Sequence, residues 1–170
     1  MHHPVSIAKD FEVLPVGDDG GWTQTWFPPA ECPEGRTHGS GGVCFTSPDE
    51  IVLIRIRGCE SWEFPAGRGE EGESWEDTFR REVIEEACAS VVEAKFLGYS
   101  RVCCSEGKEA GLVQVRSYWK ASVELLDWVP QHEIEERKLV AATSALSLLP
   151  RLYEPIMARI LVEAGVDVGA

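Results

Sequence analysis

This 170-residue sequence has no closely spaced cysteine pairs of the metal-binding type and no long apolar runs. None of its six cysteines belongs to a CxxC pair, and Cys103 and Cys104 are adjacent, which argues against a structural zinc site or a disulfide framework. No apolar run reaches the roughly 20 residues that a membrane span needs, and the first residues lack the pattern of a signal peptide. We therefore expect free thiols, a cytoplasmic location and no membrane partner.

Positive charge is also in short supply. Sixteen Lys and Arg residues stand against 29 Asp and Glu residues, so the formal net charge is −13. A field of this sign repels polyanions, which argues against nonspecific nucleic-acid binding. A phosphorylated substrate would need compensating cations at its binding site. The hydrophobic content of 44% is enough for a buried core, and the length is typical of one domain.

The order of apolar and turn-forming segments predicts an α/β domain. We expect a strand at residues 11–16, a loop rich in Gly, Pro and Trp up to residue 40, and further strands at 43–45, 51–56, 96–102, 112–123 and 133–140. The apolar run at 51–56 is typical of a central strand covered on both faces. Helices are predicted at 75–88, 142–149 and 152–164. Together these elements predict a mixed β-sheet sandwiched between α-helices.

The helix predicted at 75–88 begins at a capping box, because Ser74 and Asp77 have the required spacing. Winding the segment at about 100° per residue gives one apolar sector, which we expect to be buried and which contains Phe79, Val83, Ile84 and Ala87.

A second sector of this helix concentrates negative charge in Glu82, Glu85 and Glu86. Like charges at such spacing destabilise a helix by a few tenths of a kcal/mol per pair. A cation among them removes this cost, and hard divalent cations prefer oxygen ligands. Glu82 and Glu86, one turn apart, are therefore candidates to hold one ion.

The spacing around this helix resembles the signature of the Nudix hydrolase family. Gly67 is followed after five residues by Glu73, and after seven more by Arg81-Glu82-Val83-Ile84-Glu85-Glu86. The resemblance covers residues 67–89 and implies a Nudix fold, with a Nudix hydrolase domain at 41–170 and an N-terminal extension at 1–40. Cys88 stands where the signature has its last glycine. A left-handed conformation there would cost a non-glycine residue roughly 1–2 kcal/mol.

The resemblance also implies the chemistry, which is hydrolysis of a phosphoanhydride bond with Mg²⁺ or Mn²⁺ as the cofactor. The metal ligands would be Glu82, Glu86, Glu85 and the backbone carbonyl of Ala66. Catalytic roles would fall to Glu85 as proton acceptor, to Glu73, and to Arg81, which would orient Glu73. Gly67 would supply backbone freedom at its turn. The general base stays open between Glu85 and a late segment that contains Glu133, Glu135 and Glu136.

The implied substrate is a nucleoside diphosphate linked to another group. The segment Pro65-Ala66-Gly67 is similar to that of ADP-ribose pyrophosphatases and favours an ADP-sugar, although Cys104 stands where those enzymes often have proline. Candidate substrate contacts are Arg68 and Arg55 for phosphates and Trp62 for a base.

Two alternatives to this hypothesis remain open. The first is a hydrolase that acts on a non-nucleotide or RNA-end diphosphate. The second is a binding or regulatory module without catalysis, against which the complete set of signature glutamates argues. Many Nudix proteins dimerise, so the resemblance is compatible with a homodimer.

Overall fold

The computed structural model describes residues 13–15 and 21–169. Its strands are β1 (Val13–Pro15), β2 (Trp22–Phe27), β3 (Arg36–Ser47), β4 (Glu50–Ile56), β5 (Ala66–Gly67), β6 (Ala89–Cys104), β7 (Val113–Leu125) and β8 (Ile134–Ala141). Its α-helices are α1 (Trp75–Ala87) and α2 (Glu154–Glu163), and short 3₁₀ helices occupy Gly107–Glu109, Ala142–Leu148 and Arg151–Tyr153. Among the described residues, no helix has the length and apolar character needed to cross a membrane.

The described strands form one mixed sheet. Its order is β1-β2-β6-β7-β3-β4-β8, and β5 pairs with β3 beside this path. β3 and β7 run parallel, whereas the other named pairs are antiparallel. Because β6 follows α1 directly and pairs with both β2 and β7, the helix is tied to the middle of the sheet.

Side chains of the central strands alternate between two apolar layers. Val43 and Leu53 point into the layer that contains Ile156 and Ile160 of α2. Cys44 and Val52 point into the opposite layer, which contains Phe79 and Val83 of α1. Residues 51–54 of β4 have no solvent exposure. The prediction of a central strand in a sheet sandwiched between helices is therefore confirmed.

Helix α1 begins as its sequence predicts. The Ser74 hydroxyl accepts a hydrogen bond from the Asp77 N–H at 3.1 Å, and the Asp77 carboxylate accepts one from the Ser74 N–H at 3.0 Å. Phe79 and Val83 are fully buried, as expected, but Ile84 is 48% exposed. The prediction for Ile84 was wrong because it lies about 100° further around the helix than Val83, at the edge of the apolar sector.

Helix α1 ends at Cys88, which has a left-handed backbone conformation with φ 48° and ψ 53°. Arg137 of β8 stabilises this end, because one guanidinium nitrogen donates to the carbonyl oxygens of Ala87 at 3.0 Å, Cys88 at 2.9 Å and Leu126 at 3.1 Å. A cation at a helix C-terminus is favourable with respect to the helix dipole. The end of α1 is therefore held from a distant strand, although its own last turn has no basic residue.

Two predicted segments differ from the structure. The segment predicted as a loop up to residue 40 contains β2 and the first part of β3, and β2 is an ordinary sheet member with Trp26 buried. β1 lies within the strand predicted at 11–16, whose residues 11, 12 and 16 are outside the described part of the chain. The predicted helix at 142–149 is a 3₁₀ helix, whose period of three residues brings Ala142 and Ala145 to the same buried side.

Candidate active site

The residues between β5 and the end of α1 line a cavity of about 790 Å³. Ala66, Gly67 and Arg68 form one part of its wall, and the carboxylates of α1 form the next: Glu82, Glu85 and Glu86. Residues of β2, β3, β6 and β7 also line the cavity, as do residues of the segment before β8 and of the first turn of α2. The predicted acidic face of α1 therefore faces a cavity large enough for a nucleotide-sized ligand.

Arg81 connects the glutamates of this site. Its Nε donates to Glu73 Oε1 at 2.7 Å, and its Nη1 donates to Glu82 Oε1 at 2.8 Å and to Glu85 Oε2 at 3.1 Å. Its Nη2 donates to the carbonyl oxygen of Arg68 at 2.8 Å. The expected contact between Arg81 and Glu73 is thus present, and this hydrogen bond lowers the pKa of Glu73 and raises that of Arg81.

Two of the α1 carboxylates are energetically costly when ionised. Burial raises the pKa of Glu82 in spite of its bond to Arg81. Burial also raises the pKa of Glu86 to about 8, and repulsion from Glu82 and Glu63 adds to this effect. The Ala66 N–H donates to Glu86 Oε1 at 3.0 Å and offsets part of the cost. Arg81 therefore offsets only part of the cost of ionising these two carboxylates.

Gly67 is required for space, and this corrects the expectation of backbone freedom. Its φ is not among the positive values found for glycines of the described chain. A Cβ atom on Gly67 would lie 2.1 Å from Glu82 Cδ and 2.2 Å from Glu82 Oε1. Only glycine leaves room for the Glu82 carboxylate against the backbone of β5.

The carboxylates fit a divalent cation by their chemistry. Within residues 13–15 and 21–169, no three His, Cys, Asp or Glu side chains converge on one point as a complete metal site. Mg²⁺, however, typically takes one or two protein carboxylates and completes its shell with water and substrate phosphate oxygens. Glu82 is buried, Glu86 is half-buried, and both line the cavity. Burial raises the pKa of both carboxyls, and a nearby cation would favour their ionised forms.

The predicted substrate contacts do not all reach the cavity. Arg68 lines it, whereas Arg55 and Trp62 are absent from its lining. Arg55 pairs with Glu136 and with Glu135, and its guanidinium lies 5.4 Å from the centre of the Trp62 ring.

The glutamates proposed as a general base from the late segment also differ in whether they line the cavity. Glu133 lines the cavity, whereas Glu135 and Glu136 pair with Arg55 and do not line it. Glu85 also lines the cavity, so Glu85 and Glu133 are the candidates that the structure brings to the site.

Several polar residues of the cavity carry no recognisable sequence motif. They come from strands β2, β3 and β7 and from the segment before β8: Gln24, His38, Gln114, Arg116 and His132. His132 has a positive φ of 53°, which is uncommon for a non-glycine residue. Isolated polar residues in strand segments are ordinarily read as solvent-facing positions, so sequence periodicity gave no indication that these line a site.

Comparison with known families and structures agrees with this geometry. The family model described as NUDIX domain matches residues 36–162. A Bacillus subtilis pyrophosphohydrolase, BsRppH, is 21% identical, with a TM-score of 0.65 over 84% of this chain and 89% of that one.

Two further solved structures show the same likeness. A NUDIX hydrolase from Nitrosomonas europaea is 18% identical, with a TM-score of 0.60 over 78% of this chain and 89% of that one. A MutT NUDIX hydrolase from Burkholderia pseudomallei is 19% identical, with a TM-score of 0.53 over 78% of this chain and 98% of that one. At these identities the structural likeness establishes the fold.

Proposed function

Because this chain belongs to the NUDIX domain family, we propose that it hydrolyses the pyrophosphate bond of a nucleoside diphosphate linked to another group, with Mg²⁺ or Mn²⁺ as the cofactor. The observation that carries the proposal is the pair of carboxylates, buried Glu82 and half-buried Glu86, which line a nucleotide-sized cavity and offer oxygen ligands to a divalent cation. Support also comes from the similar Bacillus subtilis structure, which is a pyrophosphohydrolase.

The proposal gives each of the site residues a separate role. Glu82 and Glu86 hold the divalent cation, with Glu85 and the Ala66 carbonyl as further ligands. The cation supplies Lewis acidity and offsets the charge of the diphosphate. Arg81 keeps Glu73, Glu82 and Glu85 in fixed positions through its hydrogen bonds.

The proton of the attacking water needs an acceptor near the diphosphate. We favour Glu85, since it lines the cavity beside the proposed metal ligands. Glu133 is the alternative, because it also lines the cavity and belongs to the segment before β8. Arg68, at the cavity wall, is the proposed phosphate contact among the arginines named from the sequence.

A substrate panel tests the proposed function. Purified protein is incubated with an ADP-sugar, a nucleoside triphosphate, a non-nucleotide diphosphate and a 5′-phosphorylated RNA, each with Mg²⁺, with Mn²⁺ and with chelator. We expect metal-dependent release of a nucleoside monophosphate from at least one nucleotide, with the ADP-sugar as the first choice. Turnover restricted to the non-nucleotide or RNA substrate would favour that alternative instead.

Two controls make the panel decisive. Glu86→Gln should lose most turnover, whereas Glu71→Gln, which removes an exposed carboxylate outside this cavity, should keep it. No turnover of any substrate, together with no measurable binding of Mg²⁺ or Mn²⁺, would overturn the proposal and favour a non-catalytic module. The homodimer remains a prediction that light scattering of the purified protein tests.

A further inference from the structure

The cavity that the α1 glutamates line also contains basic residues. Arg116 of β7, His38 of β3 and Arg68 all line it. Gln24 of β2 lines it as well and is 7% exposed, and its buried Oε1 has no hydrogen-bond partner among the residues that the structure describes. In a chain with a net charge of −13, two arginines in one cavity require an explanation.

His38 and Arg116 form a defined pair. Arg116 Nη2 and His38 Nδ1 are 3.1 Å apart. Because a guanidinium only donates hydrogen bonds, His38 Nδ1 must accept and the ring proton must be on Nε2. Burial, together with the charges of Arg116, Arg68 and Arg36, lowers the pKa of His38 to about 4. His38 is therefore neutral at physiological pH and keeps an N–H that can donate.

Arg116 forms no ion pair with a carboxylate of the described part of the chain. Ion pairs within 4.0 Å there involve Arg55, Arg80, Arg81 and Arg159. The charge of Arg116 lowers the pKa values of Glu63 and Glu86, but neither carboxylate is within ion-pair distance of it. A partly buried guanidinium without such a partner is available to bind an anion.

The backbone of β3 is shaped to present His38. Thr37 pairs with Val115 and Gly39 pairs with Arg116, so His38 is an extra residue at a register shift. Such a bulge re-aims a side chain and is common next to functional sites. A Cβ atom on Gly39 would lie 1.9 Å from the Gly67 carbonyl oxygen, so glycine at this position lets β3 pack directly against β5. This close packing places His38 near Arg68, which follows β5.

We propose that Arg116, His38 and Arg68 form a subsite for a phosphate group of the substrate other than the metal-bound diphosphate. The inference rests on the proposed function and deepens it, because it names the substrate class. If the subsite exists, it favours a substrate with a third phosphate, such as a nucleoside triphosphate, or with a phosphate on the group linked to the diphosphate. It would then rank such a substrate above the ADP-sugar that the sequence resemblance favours. An uncharged sugar leaves Arg116 and His38 without an anion to bind.

Kinetics on two substrates tests the subsite. With Mg²⁺, Arg116→Gln should raise KM for a nucleoside triphosphate roughly 10–100-fold, the effect of losing a charge-assisted hydrogen bond. For an ADP-sugar with an uncharged sugar, the same variant should change KM by less than about threefold. Arg116→Lys, which keeps the charge, should recover part of the loss. Arg151→Gln is the matched control, since Arg151 is exposed and does not line the cavity.

A binding measurement separates this inference from the proposed function. In the presence of chelator, tripolyphosphate should bind to wild-type protein in calorimetry and at least about tenfold more weakly to Arg116→Gln. If the wild type hydrolyses no substrate but this difference is found, the proposed function fails and the subsite stands. If the wild type hydrolyses substrates but Arg116→Gln behaves as Arg151→Gln does, or loses both substrates equally, the subsite is refuted and the proposed function stands.

Discussion

Replacing Glu86 by Gln should stabilise the metal-free protein at alkaline pH while removing its activity. The Glu86 carboxylate is mostly buried, and its pKa is raised from 4.5 to about 8, chiefly by burial and then by Glu82 and Glu63. Glutamine has the same shape and can still accept the hydrogen bond from the Ala66 N–H, which is 3.0 Å long in the wild type. The substitution therefore removes a buried charge and leaves its packing in place.

The sign of the effect follows from proton linkage. The folded state holds the Glu86 proton more tightly than the unfolded state, whose carboxyl has a pKa near 4.5. The stability contributed by this proton is complete below about pH 4.5 and is lost as pH rises through about 8. At about 1.4 kcal/mol per pKa unit, an upper bound of about 5 kcal/mol of folding stability is lost from the wild type and not from Glu86→Gln.

Thermal unfolding with chelator at about pH 5 and pH 9 measures this difference. For a chain of this size, 2–4 kcal/mol corresponds to a Tm increase of roughly 5–15 °C for Glu86→Gln at the higher pH, and little change is expected at the lower one. With saturating Mg²⁺ the wild type should have the higher Tm, because metal at about 100 times its Kd adds roughly 2.7 kcal/mol to the free energy of unfolding of the wild type. Glu71→Gln controls for net charge. A Tm of metal-free Glu86→Gln at or below that of the wild type at pH 9 would refute the reasoning.

Three further substitutions test separate parts of the site. Gly67→Ala should reduce turnover at least about tenfold, because the new Cβ atom displaces Glu82. Gly72 has a positive φ but open space around it, so Gly72→Ala should cost about 1 kcal/mol of stability and leave turnover unchanged. Equal turnover in the two variants would contradict the steric argument. At saturating substrate, Glu85→Gln should lower kcat about 100-fold or more, and Glu133→Gln should lower it much less. A larger loss of kcat in Glu133→Gln than in Glu85→Gln would assign the general base to Glu133. Arg137→Met should lower the free energy of unfolding by roughly 2–3 kcal/mol in denaturant titration, because it removes the cationic donor from two carbonyl oxygens at the end of α1 and from that of Leu126. Arg159→Met is the exposed control, and a loss no larger than in this control would mean that Arg137 does not stabilise the end of α1.

Predictions within α1 succeeded where neighbours along the chain decide the structure. The capping box depends on Ser74 and Asp77 alone, and the acidic sector depends only on helical periodicity. The prediction for Ile84 failed at a sector edge, where the position of the sheet decides exposure. For Cys88 the sequence indicated the cost of a left-handed residue, but its stabilisation by Arg137 comes from 49 residues away.

The segment at residues 21–40 also shows where prediction from local sequence fails. Gly, Pro and Trp around residues 21–40 are typical of a loop, yet β2 and the start of β3 belong to the sheet. β2 gains its hydrogen bonds from β6, which follows more than 70 residues later along the chain. Local sequence propensity cannot identify such pairing partners, because whether a segment forms a strand depends on its packing against residues distant in the sequence.

The sequence by itself determined the carboxylate face of the site. Its spacing specifies a capped helix with one acidic face, because helix geometry is local. Only the tertiary structure decided that Gly67 packs against Glu82 and which residues complete the cavity. His38 and Arg116 are 78 positions apart and meet because β3 and β7 run parallel in the sheet. Non-local strand pairing brings these two residues into the cavity that the glutamates line, and it leaves Arg55 and Trp62 outside that cavity.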